Sequence, residues 1–283
     1  MLTINADVLA GTTVASQPVQ WTPSPNHNGI IRPRYLVFHY TGCSAEVARD
    51  TFLAAGGNKP VSAHLLVDRD GTVTQFVRFN ERAWHAGVSA WGDLTDLNTY
   101  SIGIEVVNDG YLLRDADGEF RCDNGKPFDG GGLTTVVEAV HKNRAIPYHF
   151  WESFTATQIE VCEELAALLG RTYQLQDVLG HDDIAPGRKE DPGPAFPLAR
   201  MRAAAVGRDD VNLPQGQFTY VGVPWLNIRT GPGTNFGLAD KPLSLHTRLA
   251  VNGTADGWLH VTTDMPRVTQ GWVWGAYTQA TPV

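Results

Sequence analysis

The chain has 283 residues, 42% of them hydrophobic and 18% charged, a globular composition whose length suits two domains better than one. Its formal net charge of −8, from 22 basic and 30 acidic residues, lacks the basic footprint of a nucleic-acid binder. No apolar run approaches a membrane span, and three cysteines without a CxxC pair exclude a disulfide framework.

Met1–Gln20 has neither a charged n-region nor an apolar core, and the first basic residue is Arg32. A chain made without a secretory signal is the expectation. Residues 1–30 are polar and turn-rich, and read as an extension with a loop at Pro23, Pro25 and Asn26. Tyr35–Tyr40 (YLVFHY) predicts a short strand. His39 stands near its end, where open sheets place ligands and chemistry; taken alone it reads as structural. Glu46–Ala55 predicts a helix that stops at Gly56-Gly57.

Val61–Asp68 and Thr72–Phe79 predict two strands joined at Asp70-Gly71, a strong hairpin signal. Alternation sets Ala63, Leu65 and Val67 on one face and His64 and Leu66 on the other. Trp84 and His85 follow in a loop, where Trp84 either lines a groove or packs the loop. Ser101–Asn108 (SIGIEVVN) is the next strand, and Glu105 interrupts its apolar run. Such a carboxylate is either solvated on an edge strand or a general base whose pKa is raised by apolar walls.

Residues 109–132 read as a long surface loop rich in Gly and Asp, and Thr134–Asn143 as a helix of modest strength. Thr155–Gly170 is the clearest helix, with a capping box at Thr155 and Gln158 and a staple of Phe154 with Ile159. Cys162 falls on its apolar stripe, and Gly170 fits the C′ position.

Val178–Pro197 (VLGHDDIAPGRKEDPGPAFP) starts as a buried strand and is then broken by Pro186, Gly187, Pro192, Gly193 and Pro194. This irregular segment nevertheless carries His181, Lys189 and Asp191. His181 and Asp191 offer N and O ligands for zinc. A lysine beside a metal is costly unless it serves a developing negative charge. Spacing alone leaves open an ordinary charged surface loop.

Leu198–Ala205 predicts a helix closing a first domain of residues 31–205. Residues 206–217 read as a linker, and 218–283 as a small all-β domain with runs at Leu226–Arg229, Leu249–Val251, Trp258–Val261 and Trp272–Trp274.

Five motifs in register carry a resemblance: FHYT (38–41), SAHLLVDRDG (62–71), AWHAGVS (83–89), SIGIEVVN (101–108) and GHDDIAPGRKEDPGPAFP (180–197). The region from about 31 to 200 resembles the zinc-dependent N-acetylmuramoyl-L-alanine amidase type 2 family, relatives of the peptidoglycan recognition proteins. LNIRTGPGTNF (226–236), GWLHV (257–261) and GWVW (271–274) resemble a bacterial SH3-like domain. The resemblance implies an α/β domain with a mixed central sheet flanked by helices, followed by an SH3-like barrel that binds cell wall. It implies Zn2+ on His39, His181 and Asp191, with Glu105 as catalytic base and Lys189 near the metal. His64, Trp84 and His85 would support or line the substrate site. The implied partner is peptidoglycan or its muropeptides, reached after lysis, as by an endolysin, or by secretion without a signal, as by an autolysin. The competing classes are a recognition protein that has lost catalysis and a cytoplasmic amidase recycling soluble muropeptides.

Overall fold

The computed structural model describes residues 1–56, 60–143, 145–206, 218–255, 257–263 and 268–279. The chain divides into two compact units, Met1–Gly207 and Arg208–Val283. Gly57 and residues 207–217 of the expected linker lie outside the described residues.

The first unit is organised by a six-stranded mixed sheet. Its strands are β1 (Gln20–Trp21), β2 (Tyr35–Tyr40), β3 (Leu65–Val67), β4 (Val73–Gln75), β5 (Ser101–Val106) and β6 (Asp177–Gly180). The spatial order is β6-β2-β5-β3-β4-β1, and every pairing is parallel except the β3/β4 hairpin. β2 and β5 are covered on both faces, which is why YLVFHY and SIGIEV read as nearly unbroken apolar runs.

Among the described residues, four α-helices accompany the sheet: α1 (Ala45–Leu53), α2 (Ala156–Tyr173), α3 (His181–Ile184) and α4 (Leu198–Val206). Leu36, Phe38, Ile102, Ile104 and Val178 pack in one core with α2 residues Val161, Cys162 and Leu165 and with Met201 of α4. Tyr35, Val37 and Leu179, on the opposite face, pack with Ala86, Leu97 and Ile184. α2 opens with the expected capping box, in which Thr155 and Gln158 each accept the other's backbone N–H at 3.0 Å.

Several expectations give way. Gly170 does not end α2, which continues to Tyr173 and is capped by Gln174 in the left-handed region. A Cβ at Gly170 would run into the Ala205 carbonyl, so this glycine permits the close crossing of α4. Residues 1–30 are not a detached loop. Leu2–Asn5 and Val8–Gly11 form a hairpin that sends Leu2 and Leu9 into the main core. Its turn, Ala6-Asp7, has positive φ at both residues without the Asn or Gly that usually announces one.

Residues 109–132 contain the strands Tyr111–Arg114 and Phe120–Cys122, and the expected helix at 134–143 is replaced by a strand, Val136–Glu138. With Phe150–Glu152 they form a second, four-stranded antiparallel sheet. The Thr134-Thr135-Val136-Val137 run is β-branched throughout, and stiff χ1 favours the pleated form once a partner strand is at hand. The stretch after β6 is not wholly irregular either, since His181–Ile184 makes one helical turn before the first proline.

The second unit is all β. Phe218–Val221, Arg248–Ala255, Trp258–Thr263, Gln270–Trp274 and Thr278–Gln279 form a five-stranded antiparallel sheet over a core of Val221, Leu226, Ile228, Leu249, Val261 and Val273. The run expected at Leu226–Arg229 is a strand only at Trp225–Leu226, with Arg229 bridged to Trp272.

Candidate metal centre

The C-terminal ends of β6, β2 and β5 lie side by side, because the three strands are parallel neighbours. β2 ends in His39-Tyr40, and Glu105 of β5 is the register partner of His39. The two side chains therefore leave the same face of the sheet. β6 hands the chain to α3 at Gly180, which places His181 at the same edge. Asp191 returns to this edge across the Pro/Gly loop, where its carbonyl accepts the Asp182 N–H at 2.8 Å.

His39, His181 and Asp191 converge. Nδ1 of His39 and Nδ1 of His181 are 2.9 Å apart, and they lie 2.9 and 3.0 Å from Asp191 Oδ2. All three side chains are buried, at 1%, 4% and 4% residual exposure, so water does not satisfy them. The Nε2 of His181 lies 3.0 Å from the Ala86 carbonyl oxygen, which only accepts. Arg188 Nη2 lies 3.3 Å from the same nitrogen but spends its two hydrogens on the Ala86 and Val88 carbonyls, so His181 carries its hydrogen on Nε2 and turns the Nδ1 lone pair towards the carboxylate. Two lone pairs facing each other at 3.0 Å in a buried site repel unless a cation or proton lies between them. The donor set of two imidazole nitrogens and one carboxylate oxygen suits a divalent ion of the zinc kind.

The electrostatics agree. Burial, followed by the neighbouring His181, lowers the His39 pKa from 6.5 to about 4, so its imidazole is neutral at pH 7. Burial alone would raise Asp191, but the two imidazoles outweigh it and hold the carboxyl far below the usual carboxylate range. Glu105 goes the other way: apolar surroundings, then the charge of Asp191, raise it well above its ordinary value, and Lys189 opposes the shift. Water still reaches Glu105, which is only partly buried. Lys189 is partly buried, and its charge is felt at both His39 and Glu105.

Of the three residues expected to support or line the substrate site, His85 lies against the cluster, and His64 and Trp84 make their hydrogen bonds outside it. His64 is fully buried; its Nδ1 accepts the Gly103 N–H at 3.0 Å and its Nε2–H donates to the Glu81 carbonyl at 2.9 Å. Both nitrogens are taken, so His64 pins β5 to the 81–83 segment and has no atom left for substrate. Trp84 is half-buried and donates through Nε1 to Asn28 Oδ1 at 3.2 Å. His85 lies behind the cluster, 3.0 Å from His39 Nε2.

Residues that spacing did not single out brace the centre. Arg188 Nη2 donates to the carbonyls of Ala86 and Val88 at 2.9 and 2.7 Å. His141 meets Asp182 at 3.0 Å, and Lys142 meets Asp182 and Asp183. Trp151 is buried against Gly193, whose left-handed φ and missing Cβ make room for the ring. The second sheet thus supports the loop that carries Asp191. A readable trace of that sheet existed in Asp117-Gly118, an Asp-Gly pair between two runs, as at Asp70-Gly71.

Residues 30–194 match the profile of the family described as N-acetylmuramoyl-L-alanine amidase. The chain belongs to this amidase family. Over 185 residues it is 32% identical to the N-acetylmuramoyl-L-alanine amidase AmiD of Escherichia coli, a match covering 62% of the chain and 54% of AmiD. It is 33% identical over 151 residues to the E. coli 1,6-anhydro-N-acetylmuramyl-L-alanine amidase AmpD, covering 53% of the chain and 62% of AmpD. The matched region thus spans a little over half the length of these relatives. The crystal structure of a selenomethionine AmpD derivative superposes with a TM-score of 0.50 and 26% identity, covering 72% of this amidase-family chain and 99% of that one. Among the described residues, no helix is long and apolar enough to cross a membrane.

Proposed function

We propose that the protein hydrolyses the amide bond between the lactyl group of N-acetylmuramic acid and L-alanine in peptidoglycan. His39, His181 and Asp191 would hold Zn2+ for this reaction. The observation that carries the reading is their inward convergence beside a glutamate whose pKa is raised. When bound, zinc supplies Lewis acidity, which polarises a carbonyl and acidifies water.

The chain's own groups then have distinct tasks. Glu105, held as a stronger base than an ordinary glutamate, takes a proton from the attacking water. It passes that proton to the α-amino nitrogen of L-alanine as the C–N bond breaks. Lys189 turns its positive charge to the negative charge developing on the lactyl carbonyl oxygen; one such stabiliser is worth on the order of 3 kcal/mol.

The second unit is proposed to be an SH3-like module that docks the enzyme on polymeric wall. Supporting this is a cavity of about 560 Å³ lined by Trp225, Trp258, Trp274, Tyr277, Asn227 and Arg229, among others. Trp225 and Tyr277 are 67% and 52% exposed, large apolar surfaces left open to solvent. A second reading, cleavage of soluble anhydromuropeptides, draws on the AmpD relatives, whose name specifies the 1,6-anhydro sugar.

The test is digestion of purified peptidoglycan by the zinc-loaded protein, with and without chelator, read by mass spectrometry. Free stem peptides beginning with L-alanine, lost with chelator and restored by zinc, are the expected products. Wall binding with no such products would replace the amidase by a recognition protein. Cleavage confined to soluble muropeptides would select the second reading.

A further inference from the structure

We infer that Asn98 is a positioning residue that holds in place His85 and Ala86, the two residues whose acceptor atoms orient both metal-facing histidines. This inference rests on the metal reading above and concerns atoms outside the cluster itself.

The chain of hydrogen bonds has one consistent polarity. Ser101 Oγ donates its hydrogen to the Leu97 carbonyl at 2.6 Å, so towards His85 Nε2, 3.4 Å away, it accepts. His85 therefore carries its hydrogen on Nε2 and offers the Nδ1 lone pair. That lone pair receives the Nε2–H of His39 at 3.0 Å, which leaves the His39 Nδ1 bare and facing the cluster. The next residue, Ala86, does the same for the other imidazole, because its carbonyl receives the Nε2–H of His181 at 3.0 Å. Two consecutive residues thus orient two ligands that are 142 positions apart.

His85-Ala86 belongs to no strand and has no ladder of its own to hold it. Asn98 replaces the ladder. Its Oδ1 accepts both successive backbone N–H groups, from His85 at 2.9 Å and from Ala86 at 2.7 Å. Asn98 is 5% exposed and lies in the short turn Leu97–Thr99 that leads into β5. β5 adds a second constraint, because a Cβ at Gly103 would occupy the His85 ring. Outer partners of metal-bound histidines fix ring orientation and ligand basicity, and their loss costs about 10–100-fold in metal affinity.

The experiment is a zinc-affinity measurement on the full chain by competition with a chromophoric chelator, with thermal stability recorded in parallel. Asn98→Ala removes both acceptor contacts and should raise the zinc Kd by about 10–100-fold. Asn98→Asp keeps an acceptor oxygen in place and should recover most of that loss. Ser101→Ala leaves the clamp intact and frees the His85 tautomer, so it should also weaken zinc binding; if Asn98→Ala does not fold, Asn98→Ser, whose shorter side chain withdraws the acceptor, takes its place in the same assay. A purely structural role would lower the melting temperature of these variants and leave the zinc Kd at the wild-type value, and that result would overturn the inference. A wild-type chain that takes up no zinc would overturn the metal reading and this inference together.

Discussion

Acid should destabilise this protein through His64, and replacing that residue should remove the effect. Burial pushes the His64 pKa down from 6.5 to about 4, against a smaller opposing pull from the Glu81 carbonyl. Between those values the unfolded chain takes up a proton that the folded chain refuses. Stability from this residue is therefore complete above pH 6.5 and is lost as pH falls towards 4. At 1.36 kcal/mol per pKa unit the loss is about 2 kcal/mol by pH 5 and about 3 kcal/mol by pH 4. Glutamine matches both hydrogen bonds of His64: its Oε1 would accept from Gly103 N–H and its Nε2 would donate to the Glu81 carbonyl. His64→Gln should therefore nearly match wild type at pH 7.5 and exceed it by about 2 kcal/mol at pH 5. The assay is urea unfolding of both chains, metal-free, across pH 4.5–7.5. His39 is also pushed down, but its causes do not include His64 and it cancels in the difference; His85 is pushed down chiefly by burial and His39, which both chains share, with a lesser contribution from His64 that the substitution removes. Equal pH slopes for the two proteins would refute the reasoning.

Glu105→Gln should bind zinc as wild type does and lose about 10²–10⁴ in turnover, the usual worth of a general base; near-normal release of stem peptides would remove Glu105 from that role. Gly170→Ala should cost about 1–3 kcal/mol by overpacking against Ala205, read from chemical unfolding, and an unchanged midpoint would mean the α2–α4 crossing relaxes freely. Trp225→Ala should reduce retention on insoluble peptidoglycan in a pull-down of the full chain while leaving cleavage of soluble muropeptides intact. Undiminished retention would move docking away from the aromatic cavity.

The parts of the fold that were legible in sequence are those with strong local signals. YLVFHY, SIGIEV and the capped helix at Thr155 declare themselves through apolar runs and a reciprocal cap, and all three form where they were expected, although the helix runs on past Gly170 to Tyr173. The second sheet was not legible as read. Val136–Glu138 depends on Phe150–Glu152 for its hydrogen bonds, and a pairing partner at that separation leaves no periodicity to detect. Gly170 was legible as a glycine but not as a crossing point, since the atom it makes room for belongs to Ala205.

The sequence by itself determined the donor types available to the site, with histidine, aspartate, glutamate and lysine standing at strand ends and in a proline-stiffened loop. Tertiary structure alone decided which of them meet. His39 and His181 come together because β2 and β6 are parallel neighbours, a pairing settled by packing across residues far apart in the chain. It also decided the work of the remaining histidines. His64 and His85 look alike as loop and strand imidazoles, yet one is spent on backbone and the other faces His39. The physical reason is that a side chain's chemistry follows from the partners of both its nitrogens, and those partners are non-local.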